Sequence, residues 1–167
     1  MATGEFDKLM KDGYRLMDEG EYSQALSKFD KAVKADPTNP SAYLAKADAG
    51  VLVPKVSQEE IIALYKKASE LDPENPFILQ GWGAFCMDVG LFNDAEVCYN
   101  KAAQIDPENA TYYYSEFGVE YYKKALVVYE SRLDEQTRAI ISKKALKYLL
   151  KSIDLDVPHR KLIVLCG

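Results

Sequence analysis

The sequence predicts an all-α protein built from stacked antiparallel helix pairs, an architecture known as an α-solenoid. Three features indicate it: a recurring Asp-Pro junction, helix-ending and helix-starting residues at each junction, and a helical apolar period between junctions. The junctions begin at Asp36, Asp72 and Asp106 of the 167-residue chain, so their spacings are 36 and 34 residues. A self-similar period of this length is typical of helical repeat proteins, whose units bury their apolar faces only by stacking.

Each junction combines a signal that ends one helix with a signal that begins the next. Proline disfavours the α conformation in the residue before it, so helices should end near the three aspartates. Asn39, Asn75 and Asn109 then occupy the position where a side-chain oxygen caps the first backbone N–H groups of a helix. Pro40 and Pro76 follow at the first helical position, where a missing N–H is tolerated.

Between the junctions, apolar residues recur at the i, i+3, i+4, i+7 spacing of an amphipathic helix. The second half of the first repeat shows this spacing at Tyr22, Ala25, Leu26, Phe29, Ala32 and Val33. Gly20 and Gly90 fall between the two halves of their repeats, where a left-handed residue commonly ends a helix. Each repeat is therefore expected to be a helix–turn–helix.

These residues match a known repeat signature. The third repeat supplies Trp82, Gly83, Gly90, Phe92, Ala95, Tyr99, Ala102 and Pro107, and the first supplies Leu9, Gly13, Leu16, Gly20, Tyr22, Ala25, Phe29, Ala32 and Pro37. With them the chain resembles the tetratricopeptide repeat family. The resemblance implies a right-handed superhelix of antiparallel helix pairs. It also implies a protein-binding scaffold rather than an enzyme.

The resemblance implies a single domain of 1–167 with four helical pairs and a tail. The repeats span about 6–39, 40–75 and 76–109, an elongated and degenerate fourth pair spans about 110–156, and the tail spans 157–167. The second repeat departs from the family pattern, because it lacks the inter-helix glycine and has Ile61 where alanine is usual. Pro158 begins a tail with a strongly apolar run, which we expect to dock either on the last pair or in a groove.

The fourth pair is rich in aromatic residues and in lysines. Its predicted first helix contains Tyr112, Tyr113, Tyr114, Phe117, Tyr121, Tyr122 and Tyr129. Core packing, a wall for a bound peptide, and base stacking on RNA are all compatible with such a cluster, but interleaved basic residues are few. The predicted second helix has an apolar stripe of Ile140, Ile141, Ala145, Tyr148, Leu149 and Ile153. Lys143, Lys147 and Lys151 are expected to form its solvated ridge.

Charge and residue usage exclude several functions. Residues 1–122 carry 11 Lys and Arg against 21 Asp and Glu, and such an acidic surface repels nucleic acid. His159 is the only histidine, and the three cysteines lack metal-ligand or disulfide spacing, so we expect no catalytic, cofactor or metal site. No apolar run reaches the roughly 20 residues of a membrane span. The odd cysteine count and the absence of a signal-like start predict a cytoplasmic protein.

In the tetratricopeptide family, the first helix of each pair lines a groove that binds peptides. The resemblance places in this groove Met10, Tyr14, Met17, Leu44, Asp48, Val51, Phe77, Gln80 and Met87, with Tyr114 and Tyr121 extending the wall. Methionines, aromatic residues and a minor acidic component suit an apolar or basic peptide. We therefore expect an adaptor or chaperone-like module, although several of these residues could instead pack only against neighbouring helices.

A second binding mode of the family is not expected here, and a second function is kept as an alternative. One subfamily grips acidic chaperone C-termini with basic and amide side chains, but the corresponding positions here are Met10, Tyr14, Ala45, Phe77 and Gly81. We expect no binding of such tails, because nothing there offsets the desolvation of a carboxylate. The alternative function is a structural scaffold that self-associates through its elongated C-terminal helical pair.

Overall fold

The computed structural model describes residues 2–129 and 134–153, and these residues are helical with no strand. The helices are α1 (Ala2–Asp18), α2 (Tyr22–Ala35), α3 (Pro40–Val51), α4 (Gln58–Leu71), α5 (Pro76–Asp88), α6 (Phe92–Ile105), α7 (Ala110–Val128) and α8 (Glu135–Ser152), with a 3-10 turn at Pro107–Asn109. The predicted all-α fold is confirmed. The tail from Pro158, with His159 and its predicted docking, lies outside the described residues.

The chain forms two compact units, Met1–Trp82 and Gly83–Gly167, and their boundary falls inside α5. In unit 1, α1 packs on α2, α2 on α3, and α3 on α4. In unit 2, α6 packs on α7 and α7 on α8. In unit 1, consecutive helices are joined by short connections, as expected for antiparallel pairs.

Two of the three predicted N-caps form as the sequence indicates. The Asn39 side chain accepts a hydrogen bond from the backbone N–H of Ser41 at 3.0 Å. The Asn75 side chain accepts one from Phe77 at 3.1 Å. Pro40 and Pro76 begin α3 and α5, and α2, α4 and α6 each end just before an Asp-Pro pair. The local signals at these junctions therefore set the helix boundaries.

The predicted cap at Asn109 is wrong. Asn109 makes no side-chain cap for α7 and instead donates its amide to the Asp106 carboxylate, with the nearer oxygen at 2.9 Å. The residue after Asn109 is Ala110 rather than proline, and Pro107–Asn109 tightens into a 3-10 turn that leads directly into α7. The third junction therefore begins its helix differently from the first two.

The two inter-helix glycines adopt the predicted left-handed conformation. Gly20 and Gly90 both have a φ of 79°, which L side chains rarely adopt. After Gly20, the backbone N–H of Glu21 bonds to the carbonyl of Leu16 at 2.8 Å, which closes a Schellman-type end on α1. These glycines fix the sharp turn between the helices of their pairs.

Unit 1 is held by one very close contact and by ion pairs between helices. A Cβ placed at Gly13 of α1 would lie 2.4 Å from the Phe29 ring of α2, so the ring packs directly on the α1 backbone. Lys28 bonds Asp12 across the same pair at 3.3 Å, and Lys46 of α3 bonds Asp30 of α2 at 2.8 Å. The lysine lies 16 residues after its aspartate in both pairs, so each ion pair joins consecutive helices.

Unit 2 has an aromatic and polar centre. A Cβ at Gly83 would lie 2.9 Å from the Tyr99 ring. The Phe117 ring of α7 lies 4.4 Å from that of Tyr148 on α8. The Tyr148 hydroxyl donates to Glu96 of α6 at 2.7 Å, so it fixes α8 against α6 as well as against α7.

The predicted apolar stripe of α8 is only partly buried. Ile141, Ala145 and Tyr148 are buried as expected. Ile140 and Ile153 are 58% and 60% exposed, so their assignment to the buried stripe is wrong. The buried side of α8 is the side that packs against α6 and α7. The two isoleucines lie next to that side and are exposed to solvent.

Gly13→Ala is expected to destabilise the protein by roughly 1–3 kcal/mol, because the new methyl group overlaps a buried ring that has no room to move. Gly4→Ala is the matched control on the same helix, where nothing lies within 4 Å of the added Cβ. It should be neutral or should stabilise by up to about 1 kcal/mol, because alanine restricts the unfolded chain. Urea unfolding followed by circular dichroism measures both. Equal effects would contradict the close packing of α1 on α2.

Candidate partner-binding surface

Asp48 of α3 has close neighbours on α4 and α5 of unit 1. A Cβ at Gly81 of α5 would lie 3.6 Å from the Asp48 Oδ1 atom, and the Asp48 charge acts on the hydroxyl of Tyr14 in α1. We therefore treat the predicted residues of α1, α3 and α5 that remain accessible as one candidate surface. We call it the unit 1 face and define it as Tyr14, Met17, Leu44, Asp48, Val51, Phe77 and Gln80.

The Asp48 carboxylate is crowded by its neighbours but keeps contact with solvent. Its Oδ1 atom accepts a hydrogen bond from the Tyr65 hydroxyl of α4 at 2.7 Å. Desolvation raises the pKa of Asp48 above its usual value, and the bond from Tyr65 opposes this rise. No ion pair of the described residues includes Asp48. It is therefore a negative charge without a cationic partner in that part of the chain.

Tyr14 of α1 is the aromatic side chain whose hydroxyl the Asp48 charge affects. Its ring is 50% exposed and packs edge-on against Phe29, with ring centroids 5.3 Å apart. Burial raises the pKa of the Tyr14 hydroxyl, and the Asp48 charge raises it further. One edge of the Tyr14 ring is therefore held by the buried Phe29, while the rest of the ring is exposed. A side chain that binds a partner needs both an ordered position and an exposed surface.

Helical spacing places the other predicted residues beside these two. Met17 lies one turn after Tyr14, and Leu44 and Val51 lie one turn before and after Asp48. On α5, Phe77 is 66% exposed and Gln80 is half-buried. These mostly apolar side chains belong to the same face as a single charged group, the Asp48 carboxylate. Met10 was assigned to the same surface but is only 9% exposed and belongs to the core.

The predicted residues of unit 2 are placed differently. Met87 and Tyr121 are buried, with exposures of 1% and 5%, so they pack inside the unit. Tyr114 is half-buried, and its ring lies 5.9 Å from that of Tyr148 on α8. None of the three therefore offers a fully open contact surface in this structure.

The exposed apolar residues of α7 differ from Tyr114 and Tyr121, which were predicted to extend the groove wall. Tyr112, Val119 and Tyr122 are exposed and share one side of α7. A Cβ at Gly118 would lie 3.2 Å from the Ala145 carbonyl, so this glycine faces α8. Gly118, as the small residue of a helix crossing, is the feature of the sequence that indicates this orientation of α7.

The lysines of α8 form the exposed ridge that the sequence predicts. Lys143, Lys147 and Lys151 are all exposed. Two of them also cover tyrosine rings, because Lys151 Nζ lies 4.7 Å from the Tyr114 centroid and Lys147 Nζ lies 5.4 Å from that of Tyr148. Through these cation–π contacts, Lys147 and Lys151 interact with aromatic residues of unit 2 itself.

The described residues present no cluster of three or more His, Cys, Asp or Glu side chains able to hold a metal ion. Cys86 and Cys98 are buried, and burial raises the pKa of the Cys98 thiol to about 12. A thiol held protonated is a poor nucleophile and ligand, so Cys98 serves packing. None of the described helices is long and apolar enough to cross a membrane.

Asp48→Asn and Asp30→Asn should change stability in opposite directions at neutral pH. The pKa of Asp48 is raised, so its ionised form is disfavoured in the folded state and the asparagine removes that cost. Hydrogen bonds from Lys34 and Lys46 lower the pKa of Asp30, so its stabilisation is present above its unfolded pKa and is lost with the substitution.

Thermal unfolding at neutral pH should therefore show a higher midpoint for Asp48→Asn and a lower one for Asp30→Asn. Both differences should shrink as the pH falls, because Asp48 protonates and Asp30 loses its ion pairs as the pH passes its folded pKa. A lower midpoint for both variants at neutral pH would contradict the assignment of Asp48 as an uncompensated charge.

Comparison with known proteins agrees with this arrangement. Residues 13–49 match the family model of the tetratricopeptide (TPR) repeat. The photosystem I assembly protein Ycf3 of Synechococcus sp. (strain CC9902) is 30% identical over 95 residues, which cover 52% of this chain and 54% of that protein. The chain therefore matches only about half the length of this curated relative.

Solved structures show the same fold at lower identity. PilF of Pseudomonas aeruginosa is 20% identical with a TM-score of 0.67, and the match covers 93% of this chain and 63% of that one. MamA of Desulfovibrio magneticus RS-1 is 20% identical with a TM-score of 0.65, covering 90% and 75%. The Sgt2 TPR domain of Aspergillus fumigatus is 17% identical with a TM-score of 0.57, covering 94% and 87%. Residues 13–49 thus match one tetratricopeptide repeat, and the described helices have the fold of these solved structures.

Proposed function

We propose that the chain is a non-catalytic adaptor or chaperone-like scaffold that binds a peptide segment of a partner protein on the unit 1 face. The observation that carries this proposal is the exposure of Tyr14 and Phe77 on the same face, at 50% and 66%. Rigid aromatic side chains supply large contact areas at a low cost in conformational entropy, and they are enriched among residues that dominate binding energy.

The surroundings of these rings support a peptide rather than a small molecule. The unit 1 face draws its residues from three helices, which gives an extended surface with apolar side chains and one carboxylate. An extended or helical peptide buries several anchors along such a surface. The relative in Synechococcus is named as an assembly protein, which fits a role in holding partners during assembly.

The charge of the unit 1 face disfavours acidic partners. Asp48 is its only ionised carboxylate, and neither Tyr14 nor Gly81 offers a positive charge. An acidic C-terminal tail would have to desolvate its carboxylate next to another negative charge. The proposed partner segment is therefore apolar or basic.

Phe77→Ala and Tyr14→Ala should each weaken binding of peptides selected on this protein from a random library, by roughly 1–2 kcal/mol, because each removes an exposed anchor. Val97→Ala on α6 is a matched control, since Val97 is 65% exposed and lies outside the unit 1 face. Fluorescence anisotropy with the selected peptides measures the affinities, and circular dichroism confirms that the variants remain folded. Equal affinities for all three variants would refute the assignment of the site.

Exposed apolar residues on α8 favour self-association as a second candidate function. Ile140 and Leu146 of α8 are 58% and 42% exposed, and Ile153, directly after the helix, is 60% exposed. Apolar side chains concentrated on one element are more typical of an interface than scattered single residues. Two copies of the chain could bury this surface against each other.

Sedimentation velocity over a range of concentrations separates the two functions. A self-associating scaffold should form larger species as concentration rises, and Ile140→Glu or Leu146→Glu should return it to monomer by placing a charge in the interface. Val97→Glu, at a similarly exposed position on α6, should leave the association unchanged. A monomer at all concentrations would exclude the self-assembling function.

A further inference from the structure

We propose that Asp48 and Tyr14 together receive the cationic side chain of a lysine or arginine in the partner segment. This inference rests on the proposed function, because it concerns the chemistry that the same surface recognises. It goes further by naming one type of ligand residue and the two groups that select it. Three observations support it: the charge of Asp48 without an ion pair among the described residues, the exposure of Asp48 beside Gly81, and the half-exposed ring of Tyr14, on which the Asp48 charge acts.

The first observation is a contrast among the aspartates of unit 1. Asp12 is paired with Lys28 at 3.3 Å, and Asp30 is paired with Lys46 at 2.8 Å. Asp48 instead accepts a hydrogen bond from a neutral group, the Tyr65 hydroxyl. This bond orients the carboxylate but leaves its full negative charge and the second oxygen, Oδ2, available to a cation.

The second observation is the exposure of Asp48 beside Gly81. A Cβ at this position would lie 3.6 Å from Asp48 Oδ1 and 3.2 Å from the Tyr65 ring. A larger residue would therefore crowd the carboxylate from the side of α5. With glycine there, Asp48 remains exposed to solvent.

The third observation is the position of Tyr14. Its ring is supported edge-on by Phe29 and remains half exposed. A ring face attracts a cation through its quadrupole, and a carboxylate attracts the same cation through its charge. Together they favour a positive group over a neutral one at this point of the surface.

The residues around Asp48 indicate that the cation is the end of a long side chain rather than a metal ion. The described residues offer one carboxylate here and no cluster able to coordinate a metal. Met17 and Leu44 flank the site by helical spacing and can pack against an aliphatic stem. Lysine and arginine combine such a stem with a charged end.

The test uses the full chain and peptides selected on it from a random library. Each selected peptide is made again with its lysine replaced by norleucine, or its arginine by citrulline, which keeps the length and removes the charge. On the wild-type protein the neutral peptide should bind about tenfold more weakly, as expected for a charge-assisted contact. On Asp48→Asn the two peptides should bind equally.

Two further variants assign the roles of the two groups. Tyr14→Phe should keep the preference for the charged peptide, because the ring is retained, whereas Tyr14→Leu should reduce it. Asp48→Lys should reverse the preference, so that a peptide carrying glutamate at the same position binds better than its lysine form.

The outcomes separate this inference from the proposed function. Peptides that need Phe77 but bind Asp48→Asn and wild type with the same charge preference would overturn the cation site and leave the proposed function intact. Selected peptides without any basic residue would also overturn it. If no selected peptide depended on Phe77 or Tyr14, the proposed function itself would fail, and the inference with it.

Discussion

The contact between a small residue on the first helix of a pair and a large side chain on the second is the constraint on which the fold depends. Phe29 packs on Gly13, Tyr99 on Gly83, and Leu149 on Gly118, and in each case a Cβ on the glycine would lie 3.0 Å or less from the facing side chain. Such contacts bring the two backbones of these three pairs close together, so their apolar stripes are packed against each other. Because the spacing leaves so little room, the rotation of the first helix about its own axis is fixed.

That fixed rotation decides which residues face outward. The residue after the small position is turned by about 100° and points away from the partner helix. Tyr14 follows Gly13, Asp48 follows the buried Ala47, and Val119 follows Gly118, and all three are exposed. The residues available to a partner are therefore determined by how the two helices of each pair pack together. Substitution of the small residue at the contact would alter binding as well as stability.

Most of the fold could be predicted because its signals are local. Asp-Pro pairs, asparagine caps and left-handed glycines act within a few residues of themselves, and only the cap at Asn109 was wrong, because the 3-10 turn at Pro107–Asn109 replaced it. The surface was harder to predict, because it depends on contacts between residues far apart in sequence. The family resemblance placed Tyr121 in the groove wall. In the structure its ring packs against that of Phe92, with centroids 5.3 Å apart, and the residue is buried. The hydrogen bond from Tyr65 to Asp48 joins two helices and has no signature in either.

The environment of Asp48 links stability to recognition. An aspartate whose pKa is raised by desolvation costs folding free energy when it is ionised, whereas Asp30, with two lysines beside it, gains from ionisation. The fold could avoid this cost with a lysine on a neighbouring helix, as it does for Asp12 and Asp30. At Asp48 the neighbouring helix supplies a tyrosine hydroxyl instead, which holds the carboxylate in place without neutralising it. A charge that is oriented but not neutralised gains most from a cation supplied by another molecule, since that cation offsets a cost already present in the unbound protein.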